Sequence, residues 1–330
     1  NFGYFEETLA HLLRLFDARP EAVVTDLHPD FRTTRHAARM GLPHLRVQHH
    51  HAHVLAPLLE HGHVPSRRVL GVALDGYGYG QDGEAWGGEF LLADYDGFER
   101  YARFEPVPLP GGDLAAREPW RMALVWLERA FGIGAPRPAA LRRIGRRRAE
   151  AVLEMARRGL RSPLSSSCGR LFDAASFLAG TAPERLEFEA EAAMRFEAAA
   201  DRAYRGVYPV RLAGAGPGRP LEISFAPLVR ALARDLEAGV PVATVSARFH
   251  DSLAGIIVRV AERARRERGT SEVALAGGVF LNRRLLGRTE RRLAARGFRV
   301  FRPLRYSPND ESLSLGQIAW GLARLRNGGS

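Results

Sequence analysis

The chain has 330 residues, room for two domains of about 150 residues each, and its 46% hydrophobic and 26% charged content is ordinary for a globular protein. No apolar run approaches the roughly 18 residues of a membrane span, and no secretory leader is expected. A net charge of +11, carried by 48 basic residues that are all arginine, admits a polyanionic partner, but the arginine-rich runs at 142–148 and 263–268 lie in helix-like segments, where a solvated face is the simpler reading.

The first residue is Asn1 rather than methionine, so the chain is expected to be a fragment or a processed piece. Phe5, Leu9, Leu12, Leu13 and Phe16 have helical spacing, and Pro20 follows. Residues 22–25 predict a short buried strand ending in Asp26-Leu27-His28-Pro29. A helix over 33–40 and a second strand then lead into Val47-Gln48-His49-His50-His51-Ala52-His53, where a further helix starts. This alternation predicts a parallel sheet. His49 and His53 are four apart, so on a helix they share one face and could reach a single ion. A solvated histidine run is the alternative.

A lobe boundary is expected near 65–67, dividing a first lobe over 1–66 from a second over 67–330. Residues 69–74 predict a strand running into the glycine-rich turn Asp75-Gly76-Tyr77-Gly78-Tyr79-Gly80. A second turn at 81–83 and strands over 85–93 and 101–107 make a hairpin or meander. Asp75 could hold a cation beside glycines that let backbone N–H groups approach an anion. Asp-Gly is equally a common hairpin turn.

Residues 118–200 read as a helical insertion broken at 132–138 and 162–167. Within it, Ser165-Ser166-Ser167-Cys168 leads into an apolar helix. The lone cysteine excludes an internal disulfide and fits a reducing, cytoplasmic compartment. Cys168 is a conceivable nucleophile, but no base is evident for it. A loop over 214–220, helices over 227–237 and 245–268, and a strand over 272–276 follow. Gly277-Gly278-Val279 then sits where a strand feeds a helix, a place where backbone amides favour phosphate. Asn282, about one turn in, could bond a sugar or base. A tight strand-to-helix turn would use the same residues. The last units are a helix over 283–296, a strand over 298–302, a loop through 308–310 and a helix over 312–325. Asp310 is either the N-cap of that helix or a metal ligand at a sheet edge, and spacing alone favours the cap.

Six segments occur in an order that resembles one family: Val47-Gln48-His49-His50-His51-Ala52-His53, Ala73-Leu74-Asp75-Gly76-Tyr77-Gly78-Tyr79-Gly80, Trp86-Gly87-Gly88-Glu89-Phe90, Ser166-Ser167-Cys168-Gly169-Arg170-Leu171-Phe172-Asp173-Ala174, Ala276-Gly277-Gly278-Val279-Phe280-Leu281-Asn282 and Pro308-Asn309-Asp310-Glu311-Ser312-Leu313-Ser314-Leu315-Gly316-Gln317. They look like the C-terminal carbamoyl-transfer domain of the HypF family of hydrogenase-maturation carbamoyltransferases, and Asp26-Leu27-His28-Pro29-Asp30 fits as well. That domain is similar to the tRNA threonylcarbamoyl transferases and to antibiotic O-carbamoyltransferases. The resemblance implies a two-lobed α/β fold of the actin-like ATPase superfamily. It implies that His49, His53, Asp75 and Asp310 bind one divalent metal, iron or zinc, with magnesium a further candidate. Asp75, Gly76, Tyr77, Gly78, Tyr79, Asp173, Gly277, Gly278 and Asn282 would line a site for an ATP- or AMP-type nucleotide, bound as carbamoyl-adenylate. The implied acceptor is the C-terminal cysteine of a partner maturation protein, with an upstream adenylate-forming domain or chain as donor. Membrane and nucleic acid are not expected partners.

Two departures stand out. The family usually has glycine where this chain has Ala190, and its first lobe opens with a glycine-rich hairpin that this chain lacks. The adenylate-forming domain that usually precedes is not expected in this chain either, so the chain alone is not expected to make carbamoyl-adenylate, and without the hairpin its first lobe is expected to leave an open sheet edge. A carbamoyltransferase for a small molecule or tRNA, and a nucleotide-binding module without catalysis, are the alternatives.

Overall fold

The computed structural model describes residues 2–64, 67–214 and 218–327. In chain order its elements are α1 (Phe2–Leu15), β1 (Val23–Asp26), α2 (Arg32–Ala37), β2 (His44–Val47), α3 (His49–Glu60), β3 (Val69–Tyr79), β4 (Ala85–Ala93), β5 (Phe98–Phe104) and β6 (Val107–Pro108). Then come α4 (Asp113–Arg117), α5 (Pro119–Phe131), α6 (Ala139–Arg142), α7 (Arg146–Arg157), β7 (Leu164–Ser165), α8 (Cys168–Leu178), α9 (Glu191–Ala198), β8 (Arg211–Ala213) and β9 (Leu221–Ser224). The chain closes with α10 (Ala226–Glu237), α11 (Val242–Arg268), β10 (Glu272–Ala276), α12 (Arg283–Ala294), β11 (Arg299–Phe301) and α13 (Leu313–Asn327), with 3₁₀ turns at Gly278–Leu281 and Asp310–Ser312.

The strand β3 explains the layers. Successive side chains of a strand point to opposite faces. Leu70, Val72 and Leu74 enter one core with Trp120 and Trp126 of α5, Phe172 and Phe177 of α8, and Ile257 of α11. Val69 and Ala73 enter a second core with Val54, Leu55 and Leu58 of α3, Phe301 of β11 and Ala319 of α13. A strand covered on both faces reads as an unbroken apolar run, and burying each large aliphatic side chain contributes about 1.5–3 kcal/mol. The large sheet has the order β11-β10-β3-β4-β5-β9-β8, with β7 joined to both β4 and β6. Its β11-β10-β3 part is parallel and β3-β4-β5 is an antiparallel meander. Strands β1 and β2 form a separate parallel pair.

Several sequence expectations need correction. The strand expected to stop at 74 continues to Tyr79, with a register shift between Leu74 and Gly78. Asp75 therefore lies in a bulge within a strand rather than at the mouth of a turn. The third strand of the meander begins at Phe98 and ends at Phe104, where Pro106 cannot donate to the ladder. The helix expected over 33–40 is shorter and earlier, at Arg32–Ala37. The short strands β8 and β9 flank a Gly/Pro-rich segment and were not expected. The expected lobe boundary and the 214–220 loop fall partly on residues 65–66 and 215–217, outside the described residues, as does the final Gly-Gly-Ser. Helix α1 forms where its apolar spacing predicts it, yet buries none of its residues.

The arginine-rich runs behave as solvated faces. Arg143 and Arg148 lie against Glu184, Arg148 also against Glu118, Arg263 against Glu267 and Arg268 against Glu99. Among the described residues, no helix is long and apolar enough to cross a membrane.

Candidate metal centre

Helix α3 starts where Gln48 caps it. The Gln48 side chain accepts from the His51 N–H at 2.9 Å, as an N-cap does, and its amide donates to the Tyr79 carbonyl at 3.1 Å. One residue thus ties the first turn of α3 to the far end of β3. Glycines then let α3 lie close to its neighbours. A Cβ on Gly78 would stand 2.4 Å from His50 Cε1 and 2.6 Å from His49 Cδ2, and one on Gly71 would stand 2.3 Å from Val54. On the other side, a Cβ on Gly316 of α13 would stand 1.8 Å from the Ala52 carbonyl oxygen.

This packing gathers His49 and His53 from α3, Asp75 from the β3 bulge and Asp310 from the 3₁₀ turn before α13. One ligand atom from each lies within 4.8 Å of all the others. His53 Nε2 is 3.1 Å from Asp75 Oδ2 and 3.2 Å from Asp310 Oδ1. His49 Nε2 is 3.6 Å and 3.7 Å from the same two oxygens. The two Nε2 atoms are 3.1 Å apart. Asp310 is not the helix cap that spacing favoured. Asn309 caps the 3₁₀ turn that leads into α13, its Oδ1 accepting from the Glu311 N–H at 3.3 Å, and the Asp310 carboxylate is left to face the histidines.

These residues fit a divalent ion. Four ligands at about 2.0–2.1 Å around a tetrahedral centre stand about 3.3–3.4 Å from one another; the separations that involve a histidine run from 3.1 to 3.7 Å, and the two carboxylates lie within 4.8 Å. Asp75 Oδ2 and His53 Nδ1 are buried without an aligned hydrogen-bond partner among the described residues. Two imidazoles and two carboxylates suit a divalent transition metal.

Electrostatics favour positive charge here. Burial works against a charged His49, but the Asp26 and Asp75 carboxylates outweigh it and push its pKa up to about 10. Burial likewise opposes charge on His53, and Asp310 and Asp75 raise its pKa nonetheless. Burial would raise the Asp75 pKa, but His49 and His53 hold it well below the usual carboxylate range. His50 goes the other way: burial, reinforced by its two neighbours, keeps it neutral. Sequence reasoning missed Asp26 as a participant. Its Oδ2 is 2.7 Å from His49 Nδ1. The signal was available, because Asp26 ends a strand that runs parallel to the one feeding α3.

The glycine-rich segments meet beside this cluster. A Cβ on Gly277 (φ +96°) would stand 2.3 Å from the Leu74 carbonyl, and one on Gly278 would stand 3.3 Å from Asp75 Oδ1. The start of α8 joins them, with Ser167 Oγ donating to the Gly76 carbonyl at 2.7 Å. Tyr77 is half exposed, while Gly78 lies against His49 and His50 of α3 and the Tyr79 ring stands edge-on to His28, just past β1. Asp173 is farther along α8, buried against Arg170 at 2.7 Å. Burial raises its pKa to about 6, with Arg170 opposing. Asn282 caps α12, accepting from the Leu285 N–H at 2.8 Å and donating to His250 at 2.9 Å, so much of its bonding capacity is spent inside the protein. Cys168 is fully buried, and burial with the nearby Asp75 charge pushes its thiol well up. A buried neutral thiol is a poor nucleophile. A cavity of about 580 Å³ near Phe131, Leu178 and Leu236 lies at the opposite end of α8 and contains none of the expected site residues.

Known proteins match this chain closely. A family model described as "HypF Kae1-like domain" matches residues 1–60, and one described as "Carbamoyltransferase, Kae1-like Domain, second subdomain" matches residues 71–317. A carbamoyltransferase HypF of Rhodobacter capsulatus is 43% identical over 332 residues, covering 98% of this chain and 42% of the relative. A carbamoyltransferase HypF homolog of Cupriavidus necator is 39% identical over 335 residues, covering 98% of this chain and 83% of the relative. The crystal structure of full-length HypF in the phosphate- and nucleotide-bound form superposes with a TM-score of 0.92 at 32% identity, covering 98% of this chain and 50% of that one. The chain thus spans less than half the length of several curated relatives.

Proposed function

The chain belongs to the HypF carbamoyltransferase family and has the actin-like ATPase fold of its Kae1-like domain, and from that premise we propose that its site takes a carbamoyl-adenylate and passes the carbamoyl group to a protein thiol. The acceptor is the C-terminal cysteine of a partner hydrogenase-maturation protein. The observation that carries the reading is the convergence of His49, His53, Asp75 and Asp310, one ligand atom from each within 4.8 Å of the others, beside the backbone of Gly76, Gly277 and Gly278.

In this reading the four side chains hold one divalent ion, iron or zinc. When bound, such an ion supplies positive charge against the phosphate of the leaving nucleotide. The chain's own residues do the rest. Gly76, Gly277 and Gly278 offer backbone that phosphate can approach closely. Tyr77 and Tyr79 border that backbone, and Asp173 and Asn282 stand behind it, each held by partners inside the protein. The acceptor's thiolate sulfur bonds to the carbamoyl carbon, the bond from that carbon to the adenylate oxygen breaks, and AMP departs with the electron pair. Cys168 takes no part, being buried and protonated. The donor arises on an adenylate-forming domain or chain. We further propose that residues 1–66 and 67–330 act as the two lobes, with the histidines on the first and the aspartates on the second.

The experiment supplies carbamoyl-adenylate, generated enzymatically, together with the metal-loaded chain and the partner protein. The expected result is one added carbamoyl group on the partner's terminal cysteine by mass spectrometry. An unmodified partner, with the chain folded and loaded, would count against the reading.

A further inference from the structure

The structure assigns Asp26 as the positioning residue of this centre: it holds His49 in the tautomer and orientation in which Nε2 presents a lone pair to the ion. The inference rests on the metal reading above and adds a residue to it. Asp26 is the last residue of β1 and stands opposite Val47 in the parallel register. Two residues after Val47, His49 opens α3, so the strand pairing itself sets the carboxylate beside the imidazole. Asp26 Oδ2 is 2.7 Å from His49 Nδ1. Its other oxygen is fixed too, accepting from the His28 N–H at 2.9 Å. Both residues are buried, so water cannot replace either partner.

The chemistry follows from the two ring nitrogens. A neutral imidazole carries one proton, and the nitrogen that donates cannot ligate. With Nδ1–H given to Asp26, Nε2 is the nitrogen left to exchange its proton for an ion, and Nε2 is the atom that faces His53, Asp75 and Asp310. A carboxylate behind a ligating histidine also raises its basicity, and losing such a partner typically costs 10–100-fold in metal affinity. Nothing comparable stands behind His53, whose Nδ1 is buried without a hydrogen-bond partner among the described residues. The support is therefore on one histidine of the pair.

The test measures zinc affinity by competition with a chromogenic chelator for the unaltered chain, Asp26→Asn, His49→Ala and the double variant, with circular dichroism as the fold control. Asp26→Asn keeps the side chain's shape and is expected to weaken binding about 10–100-fold. In the His49→Ala background the same change is expected to alter affinity less than about 3-fold, because a residue acting through His49 has nothing left to act on. A purely structural role would lower affinity by similar factors in both backgrounds and would overturn the inference, as would unchanged binding by Asp26→Asn. A second readout needs no variant. Nitrogen-15 correlation spectra of the zinc-loaded chain are expected to show a proton on His49 Nδ1 and the metal on Nε2; the reverse arrangement would overturn it. Failure of the unaltered chain to bind zinc would instead overturn the metal reading itself.

Discussion

Replacing Gly316 by alanine tests how the fold delivers Asp310. The added Cβ would lie 1.8 Å from the Ala52 carbonyl oxygen, 2.5 Å from its carbon and 2.9 Å from its Cα. All three are backbone atoms of α3, so no side chain can rotate away. A carbon and an oxygen need about 3.3–3.5 Å, so α13 must retreat by roughly 1.5 Å. Asp310 leads directly into α13, and its Oδ1 is 3.2 Å from His53 Nε2. A rigid retreat would stretch that separation to about 4.7 Å, too far for one ion to be shared. Two stability effects compete. Alanine is favoured over glycine inside a helix by about 1 kcal/mol, while overpacking against fixed backbone costs about 1–3 kcal/mol or more. The net expectation for Gly316→Ala is a loss of up to about 2 kcal/mol in urea unfolding, together with a loss of zinc affinity of roughly 10-fold or more. Gly3→Ala, in α1, where an added carbon meets nothing within 4 Å, should leave zinc affinity unchanged and lose no stability. If Gly316→Ala binds zinc as tightly as the unaltered chain and is as stable, the close approach of α13 to α3 does not organise the site.

Three further expectations follow from particular residues. Ala190 sits in the left-handed region at φ +61°, where a side chain costs about 1–2 kcal/mol relative to glycine, so Ala190→Gly should stabilise the chain by about 1 kcal/mol in urea unfolding; a loss of stability would contradict that backbone conformation. Cys168 should resist a thiol reagent in the native state and react fully in denaturant, and fast native labelling would contradict its burial. Asp310→Asn and His53→Ala should each abolish tight zinc binding and carbamoyl transfer together, and full transfer by a variant that has lost the metal would separate the two.

Much of this was legible in the sequence for physical reasons. The four-residue spacing of His49 and His53 fixes their shared helix face. Buried strands such as Ala85–Ala93 and Glu272–Ala276 were located to the residue because each ends in an apolar run, Phe90-Leu91-Leu92-Ala93 and Val273-Ala274-Leu275-Ala276, cut off by a turn residue. The role of Ala190 shows what composition hides. The difference from the family's glycine was visible in the sequence, but the reason lies in a left-handed backbone that only coordinates reveal. Asp75 and Asp310 were legible as acids near glycine or a helix start, yet local spacing pointed to a turn and a cap. Tertiary packing decided otherwise, through a bulge in β3 and through Asn309 taking the cap. The segment that Asp26 opens fits the family, but its role escaped notice because its partner is 23 residues away and the register that joins them is set by strand pairing.

The most direct test of the central claim is elemental analysis of the unaltered chain after equilibration with zinc and removal of excess by gel filtration. One ion per chain, absent from His53→Ala, is the predicted result. A folded, unaltered chain that retains none would contradict the four-residue centre on which the account stands.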